Sequence, residues 1–248
     1  MRLFNPADSA HTTLQIVNDD MPFLVDSVTM ALAEAGIGVH VLGHPVIRLS
    51  RDKAGKLAGV GEGTAESLMH LEIDRQPQAA MAALKARITK VLDDVRAIVA
   101  DWEPMQARMR DVADELATRK LPVTDAGRQE AQEFLRWAAD DHFTFFGYRE
   151  YKVVKQGKEE VLAAEPGSGM GLLRDDGGKP RPIKSLAAHF MPQSGAVDAL
   201  ILTKTNARAS VHRPGYMDYI GVLSFDAKGR AVGEQRFLGL YTSSAYTR

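Results

Sequence analysis

The sequence predicts an α+β protein: a βαββα sandwich, then a helical connector, then a mainly antiparallel β domain. Strand-like and helix-like periods alternate over residues 1–101, helix-like periods dominate residues 102–141, and aromatic strand-like segments fill residues 142–248. These three ranges are the predicted domains and connector. With 248 residues, 45% of them hydrophobic, the chain is long enough to form two domains with sizeable cores.

The first predicted strand and helix meet at a short acidic turn. In "HTTLQIV", Leu14 and Ile16 share one face, which is the period of a half-buried strand ending near Asn18. From Pro22 the apolar residues recur at three and four positions, which predicts a helix, and Gly36 ends it.

The rest of the first domain predicts two more strands and a helix. Residues 37–49 form the predicted second strand, "DKAG" the turn, and "SLMHLEID" the third strand. Whether residues 57–67 contain another strand stays open. A long amphipathic helix is predicted from about Pro77. This order is typical of a split βαβ sandwich with helices on one face of an antiparallel sheet.

The connector is predicted to be helical, and the second domain is predicted to consist mainly of strands. Pro104 predicts a break in the long helix, a second helix ends before Pro122, and a third covers residues 125–141. Five strands are then predicted from "HFTFFGYREYKVV", "EEVLAA", "ALILTKT", "YMDYIGVLSF" and "AVGEQRFLGLY". The turn "DAKG", residues 226–229, predicts a hairpin between the last two.

Composition excludes several classes of partner and chemistry. The formal charge of -1 provides no net basic field, so neither nucleic acid nor an anionic membrane is an expected partner. The absence of cysteine excludes disulfides, thiolate metal sites and cysteine nucleophiles, and fits the cytoplasm. We also expect neither export nor a membrane span, because the start is not signal-like and no run of about 18 apolar residues occurs.

A glycine run invites a phosphate-loop interpretation that its spacing does not support. "EPGSGMGLL" gives GxGxG, and the third glycine of GxGxxG would fall on Leu172. A helix should follow such a loop, whereas "LLRDDGGKPRP" is rich in helix breakers. We therefore predict a β-turn here.

No metal site is predicted. His40 and His44 would lie about 13 Å apart along one strand face, too far to share an ion. The cluster Asp140, Asp141 and His142 sits at a helix end with no further ligand group that the sequence identifies.

The segment "LTKTNARASVHRPGYMDYIGV" concentrates basic and aromatic side chains. They could bind an anion or an acidic partner surface, but solvated surface charge is the favoured interpretation because exposed basic residues are common. Ser210 and His212 are not accompanied by a placed acid or an oxyanion loop, so hydrolysis is not expected. The candidate anion or interface cluster comprises Lys204, Arg208, His212, Arg213 and Tyr216.

The acidic turn itself allows two interpretations. Amides at a helix start are free to donate, and an aspartate can accept hydrogen bonds from them or from a ligand's ammonium group, so the turn suits a zwitterionic amino acid. Plain capping of the helix by Asp19 or Asp20 explains the same residues equally well.

Longer motifs resemble a known family. "DDMPFLVDSVTMALAEAGIGV" resembles the turn, helix and glycine-ended strand of the ACT domain. The segments "VNDDMPFLVDSV", "HFTFFGYREY", "GSGMGLL", "LTKTNARASVHRPGYMDYIGV" and "RFLGLYTSSAYTR" resemble the amino-terminal region of the large bacterial NAD-specific glutamate dehydrogenases. The resemblance covers nearly the whole chain. It implies a ferredoxin-like, ACT-type βαββα unit over residues 1–101 and a PAS-like β domain over residues 142–248.

The resemblance also implies a function. The parent enzyme would oxidise L-glutamate with NAD to 2-oxoglutarate and ammonium as a cytoplasmic homo-oligomer, with its catalytic and NAD-binding domains downstream. We therefore expect no catalytic residue, cofactor or metal in this chain, which starts almost directly in a strand and is expected to be a fragment. Its expected partners are sister subunits, the downstream domains and an amino-acid effector.

The effector site is assigned by matching residues to the ACT turn. That turn usually places glycine after proline, where backbone approaches a ligand, and here the position is Phe23, whose ring either closes the pocket or packs on a neighbouring subunit. Two functions stay open: an allosteric amino-acid sensor, and a structural inter-subunit docking module without a small ligand. The candidate effector-binding residues are Asp19, Asp20, Met21, Pro22, Phe23 and Leu24.

Overall fold

The computed structural model describes residues 1–119, 121–156, 159–174, 183–184 and 198–246. The described chain contains two antiparallel sheets and divides into two compact units. The first unit comprises residues 1–96 and 210–214, and the second comprises residues 97–209 and 215–248. The predicted α+β class is confirmed.

The first unit is built on one sheet with a central strand, β6. The elements are β1 (Arg2–Phe4), β2 (His11–Asp19), α1 (Leu24–Glu34), β3 (Val39–Gly43), β4 (Val46–Arg51), β5 (Leu57–Val60) and β6 (Thr64–Asp74). The sheet order is β1-β2-β6-β4-β5, and β3 also pairs with β6. Strand β6 therefore has β2 on one side and both β3 and β4 on the other.

The periods of the sequence account for the core of this unit. Alternate residues of β2 and β6 and the three-to-four spaced residues of α1 are buried, as their spacing predicts. This core includes Leu14, Ile16, Leu24, Val28, Leu32, Met69, Leu71 and Ile73.

Two details of this sheet differ from or complete the prediction. The single strand predicted over residues 37–49 is two strands, β3 and β4, separated by His44 and Pro45, because proline has no N–H to continue the ladder. The open question over residues 57–67 is answered by β5, which ends at Val60, and by a turn before β6.

Helix α2 (Met81–Thr118) is continuous through Pro104, so the predicted break there is wrong. A proline inside a helix costs about 3 kcal/mol through its lost hydrogen bond and its clash with the preceding turn. The helix after Pro104 has four fully buried side chains, those of Met105, Met109, Val112 and Leu116. Burying each such side chain contributes about 1.5–3 kcal/mol, so packing outweighs the local cost.

Helix α3 (Asp125–Trp137) is capped by Thr124, whose hydroxyl accepts a hydrogen bond from the amide of Gly127 at 3.1 Å. A π-helical turn follows over residues 138–142, in which Asp140 and Asp141 leave helical geometry. The third helix therefore ends before the predicted Asp141.

The second sheet contains all five predicted strands, here β7 (Phe143–Gln156), β8 (Glu159–Ala164), β11 (Leu200–Arg208), β12 (Tyr216–Phe225) and β13 (Ala231–Tyr241), with the short β9 (Met170–Gly171) and β10 (Ile183–Lys184). Its order is β10-β8-β7-β13-β12-β11, and β9 pairs with β7. The predicted hairpin joins β12 to β13, with Gly229 at φ 73°. Its core combines α2 and α3 with one sheet face, including Met105, Leu135, Phe145, Tyr148 and Phe237.

Candidate functional site

The turn between β2 and α1 is set by the backbone of Phe23. This residue is the N-cap of α1 and has φ 71°, in the left-handed region, with no side-chain cap. The first helical hydrogen bond runs from the amide of Ser27 to the carbonyl of Phe23 at 3.0 Å. Capping by Asp19 or Asp20 is therefore wrong, because the N-cap position falls on a residue without a side-chain acceptor.

The other candidate residues of the turn have separate environments. The amide of Asp20 donates to the carbonyl of Ala65 at 3.0 Å, which ties the turn to β6. Leu24 is 2% exposed and belongs to the core. Met21 is half-buried and Pro22 is exposed.

Asp19 lines a cleft of about 620 Å³ on the sheet of the first unit, and the other five candidates are not among its lining residues. Across the cleft, Arg51 donates to Glu66 through Nε at 2.6 Å and through Nη2 at 2.5 Å. The hydrogen bonds from Arg51 hold the pKa of Glu66 below its usual value. The cleft thus combines one paired cation with two carboxylates.

A loop from later in the chain completes the first unit at Phe23. Residues 210–214 belong to this unit although their neighbours on both sides belong to the second, and Val211 is fully buried. The backbone amide of His212 donates to Ser27 Oγ at 3.1 Å, and the hydroxyl of Ser210 donates to Asp94 at 2.9 Å. The rings of Phe23 and His212 have centroids 4.9 Å apart. The position where an ACT turn usually has glycine is therefore in contact with the chain's own loop.

His212 has a strained backbone and a buried ring nitrogen that lacks a hydrogen-bond partner among the described residues. Its backbone has φ 74°, and its buried Nδ1 has no hydrogen-bond partner among the described residues. Burial lowers the pKa of its imidazole, the positive charge of Arg213 lowers it further, and Asp26 opposes both. The sequence showed His212 only as one of several basic residues, since nothing local indicates which elements the loop contacts.

The predicted basic cluster does not belong to a single unit. His212 and Arg213 lie in the first unit, whereas Lys204, Arg208 and Tyr216 lie in the second. Lys204 forms an ion pair with Asp218 at 2.6 Å, and the guanidinium of Arg208 lies 5.3 Å from the ring centre of Tyr216. The cations of the second unit are thus engaged with neighbouring strand residues.

The glycine run forms a tight turn, as predicted. Asp101 on α2 accepts from the amide of Gly171 at 2.6 Å and from Arg174 Nε at 2.6 Å and Nη2 at 2.5 Å. These bonds with Arg174 lower the pKa of the carboxyl. Residues 175–182 of the breaker-rich segment lie outside the described residues.

The histidines have individual partners. His40 Nε2 lies 2.8 Å from Asp74 Oδ1, and His44 Nε2 lies 2.5 Å from Ser67 Oγ. Across the described ranges, no group of three His, Cys, Asp or Glu residues could hold a metal ion. No helix in those ranges is long and apolar enough to cross a membrane.

The sandwich and its strand–turn–helix place the first unit in the ACT class, and residues 1–88 match the model described as "Glutamate dehydrogenase, ACT1 domain". The whole chain is similar to proteins named NAD-specific glutamate dehydrogenase. Identity is 35% to those of Halomonas elongata and Pseudomonas aeruginosa over 99% of the chain, and 28% to that of Mycobacterium tuberculosis over 94%. The chain covers 16%, 16% and 14% of these relatives. It corresponds to the amino-terminal, ACT1-bearing region of the NAD-specific glutamate dehydrogenases, which confirms the resemblance.

Proposed function

We propose that this chain is a non-catalytic regulatory and assembly module of an NAD-specific glutamate dehydrogenase. The parent would convert L-glutamate and NAD to 2-oxoglutarate and ammonium in the cytoplasm, as a homo-oligomer. Its catalytic and NAD-binding domains would lie in the part of the parent that this chain does not cover. The second unit would act as a PAS-like domain that contacts sister subunits and downstream domains.

The observation that carries this proposal is the contact between Phe23 and His212. An amino-acid ligand at an ACT turn needs close approach to backbone amides, which glycine permits and a phenyl ring obstructs. Here the ring faces loop 210–214, and Ser27 at the start of α1 accepts the loop's amide. The turn therefore already has a peptide occupant, which supports the docking role over the sensor role at this position.

The sensor role has one observation in its favour. The cleft at Asp19 offers carboxylates for an ammonium group and Arg51 for a carboxylate, which is the pairing that a zwitterionic amino acid requires. Against it, Arg51 already makes a two-point contact with Glu66, whose side chain is 5% exposed. A ligand would have to share or replace that partner.

Calorimetry of the chain with the twenty amino acids separates the two roles. We expect no saturable heat from the wild type at millimolar concentration. Heat that is lost in Asp19→Asn would favour sensing at the cleft, and heat that appears only in Phe23→Gly would show that the ring closes the turn. Glutamate-dependent reduction of NAD by this chain alone would overturn the non-catalytic assignment.

A further inference from the structure

Loop 210–214 places the imidazole of His212 against α1 of the first unit. A proton on Nδ1 of this ring would have no acceptor among the described residues. We propose that this loop is a proton-released clamp, which holds the α1 turn while the imidazole of His212 is neutral and leaves it when the imidazole is protonated. This inference deepens the regulatory role proposed above and rests on it only for its effect on the parent enzyme.

The clamp is a five-residue loop, residues 210–214, held by contacts on α1 and α2. The loop gives one backbone hydrogen bond to Ser27 and one side-chain hydrogen bond to Asp94, and it buries Val211. The ring of His212 also lies against Phe23. A short surface segment can open separately from the rest of a fold, so the protonation state of one contacting group can change how often it is closed.

The position of Nδ1 couples the contact to the proton. A neutral imidazole has one N–H and one acceptor nitrogen, whereas an imidazolium has an N–H on both nitrogens. Nδ1 of His212 is buried and has no partner among the described residues, so in the charged form an N–H would be left without an acceptor. Burying an unpaired donor that carries charge is costly, and releasing the loop to water removes that cost.

The charges that face His212 do not cancel the cost of burying its protonated imidazole. Asp26 on α1 and the ring of Phe23 favour the charged form, and Arg213 in the loop disfavours it. Asp94 on α2 already accepts from Ser210 and from Lys90. Burial remains the largest contribution and lowers the pKa of His212. Because the clamped pKa lies below the free value of about 6.5, clamping is constant at higher pH and weakens as pH falls, by up to about tenfold per pH unit.

Backbone strain gives independent support. Phe23 and His212 both have positive φ, which side chains other than glycine's rarely adopt. Such residues persist only where surrounding contacts enforce them, and they concentrate at clamps and switches. Releasing the loop lets both residues relax, so the open state has a local gain that offsets part of the lost contacts.

Hydrogen exchange of the chain at about pH 7.5 and about pH 5.5, corrected for the intrinsic rate, measures clamping directly. We expect protection of residues 209–215 and 23–30 to fall in the wild type at the lower pH, by up to about tenfold. His212→Asn tolerates a positive φ and does not ionise, so its protection should be equal at the two pH values. Ser27→Ala removes the acceptor and should reduce protection by the same factor at both.

Two results of the exchange experiment would overturn the proposal. One is a parallel loss of protection in the wild type and in His212→Asn, and the other is no loss in the wild type. An NMR titration of the His212 imidazole in the wild type needs no variant: a pKa at or above about 6.5 with the loop still protected would also contradict it. These results concern only the loop, whereas amino-acid calorimetry and NAD reduction test the module's function, so the two failures are distinguishable.

Discussion

Phe23 and His212 contact each other through their rings, with centroids 4.9 Å apart, and both have left-handed backbones, at φ 71° and 74°. The described residues include one other non-glycine residue with positive φ, Asp141. This conformation is unfavourable for a residue with a side chain, because Cβ lies too close to the following carbonyl oxygen. The two strained residues therefore indicate that the contact between α1 and loop 210–214 enforces the local backbone.

Replacing Phe23 separates the backbone effect from the ring. Phe23→Ala and Phe23→Gly both remove the phenyl group, and they differ mainly in tolerance of φ 71°. We expect the glycine variant to be more stable by about 1 kcal/mol, because alanine keeps the left-handed clash. Chemical denaturation of both variants measures the difference. Equal stabilities would mean that the turn rearranges once the ring is absent.

The glycine turn in the second unit should tolerate substitution at one position and not at two others. A Cβ at Gly169 would lie 2.1 Å from the carbonyl oxygen of Leu173, and at Gly171 2.3 Å from that of Phe146. Alanine at either should cost more than about 3 kcal/mol, because backbone must move. Gly167 has φ 75° with nothing within 4 Å of a Cβ, so its alanine variant is the control and should cost about 1 kcal/mol. Thermal unfolding ranks the three.

Asp101 should give the second unit a specific acid sensitivity. Its pKa is lowered, so its stabilising contacts are complete above the ordinary aspartate value of about 3.8 and are lost as pH falls below it. Asp101→Asn should cost about 1–2 kcal/mol near neutral pH and flatten the acid side of the melting profile.

Asp114→Asn is the matched control for that substitution, because Asp114 pairs with Arg136 at an exposed site, with side chains 70% and 51% exposed. It should change stability by less than about 0.5 kcal/mol. Identical acid profiles for the wild type and Asp101→Asn would show that the Asp101 contacts contribute nothing.

Pro104→Ala should raise the melting temperature. Alanine restores the missing N–H inside α2 and removes the ring clash, a gain of about 1–2 kcal/mol after allowing for the more flexible unfolded chain. Pro77→Ala is the control, because Pro77 precedes the helical turn at φ -65° and should give no gain. A lower melting temperature for Pro104→Ala would mean that the proline itself is needed in the helix.

Local periodicity was sufficient for most of the fold. The alternation of Leu14 and Ile16, the spacing of the α1 residues and the five strands of the second unit all follow from which side of each element is buried. The errors occurred where packing competes with local preference. Pro104 predicts a break, but the buried residues after it keep the helix continuous, and the effect of Pro45 on the sheet was missed in the second strand.

The candidate site was predictable only in part. The unusual residue after the proline, Phe23, is visible in the sequence, which predicts that its ring closes the pocket or packs on a neighbouring subunit, whereas the ring contacts His212 of the same chain. This partner is not visible in the sequence, because His212 is far away in the chain and its positive φ has no sequence signal such as glycine or asparagine. Asp101 was missed for the same reason: its contacts are with the distant Gly171 and Arg174.

The membership of loop 210–214 in the first unit affects the order in which the protein forms during its synthesis. Domains generally fold as units from the amino end while the ribosome is still adding residues. Val211 is fully buried and belongs to the first unit, so that unit stays incomplete on the ribosome until most of the second has been translated. A gene shortened after residue 96 would therefore encode a first unit without its final piece, and recombining the two units between homologous genes would need three crossovers rather than one.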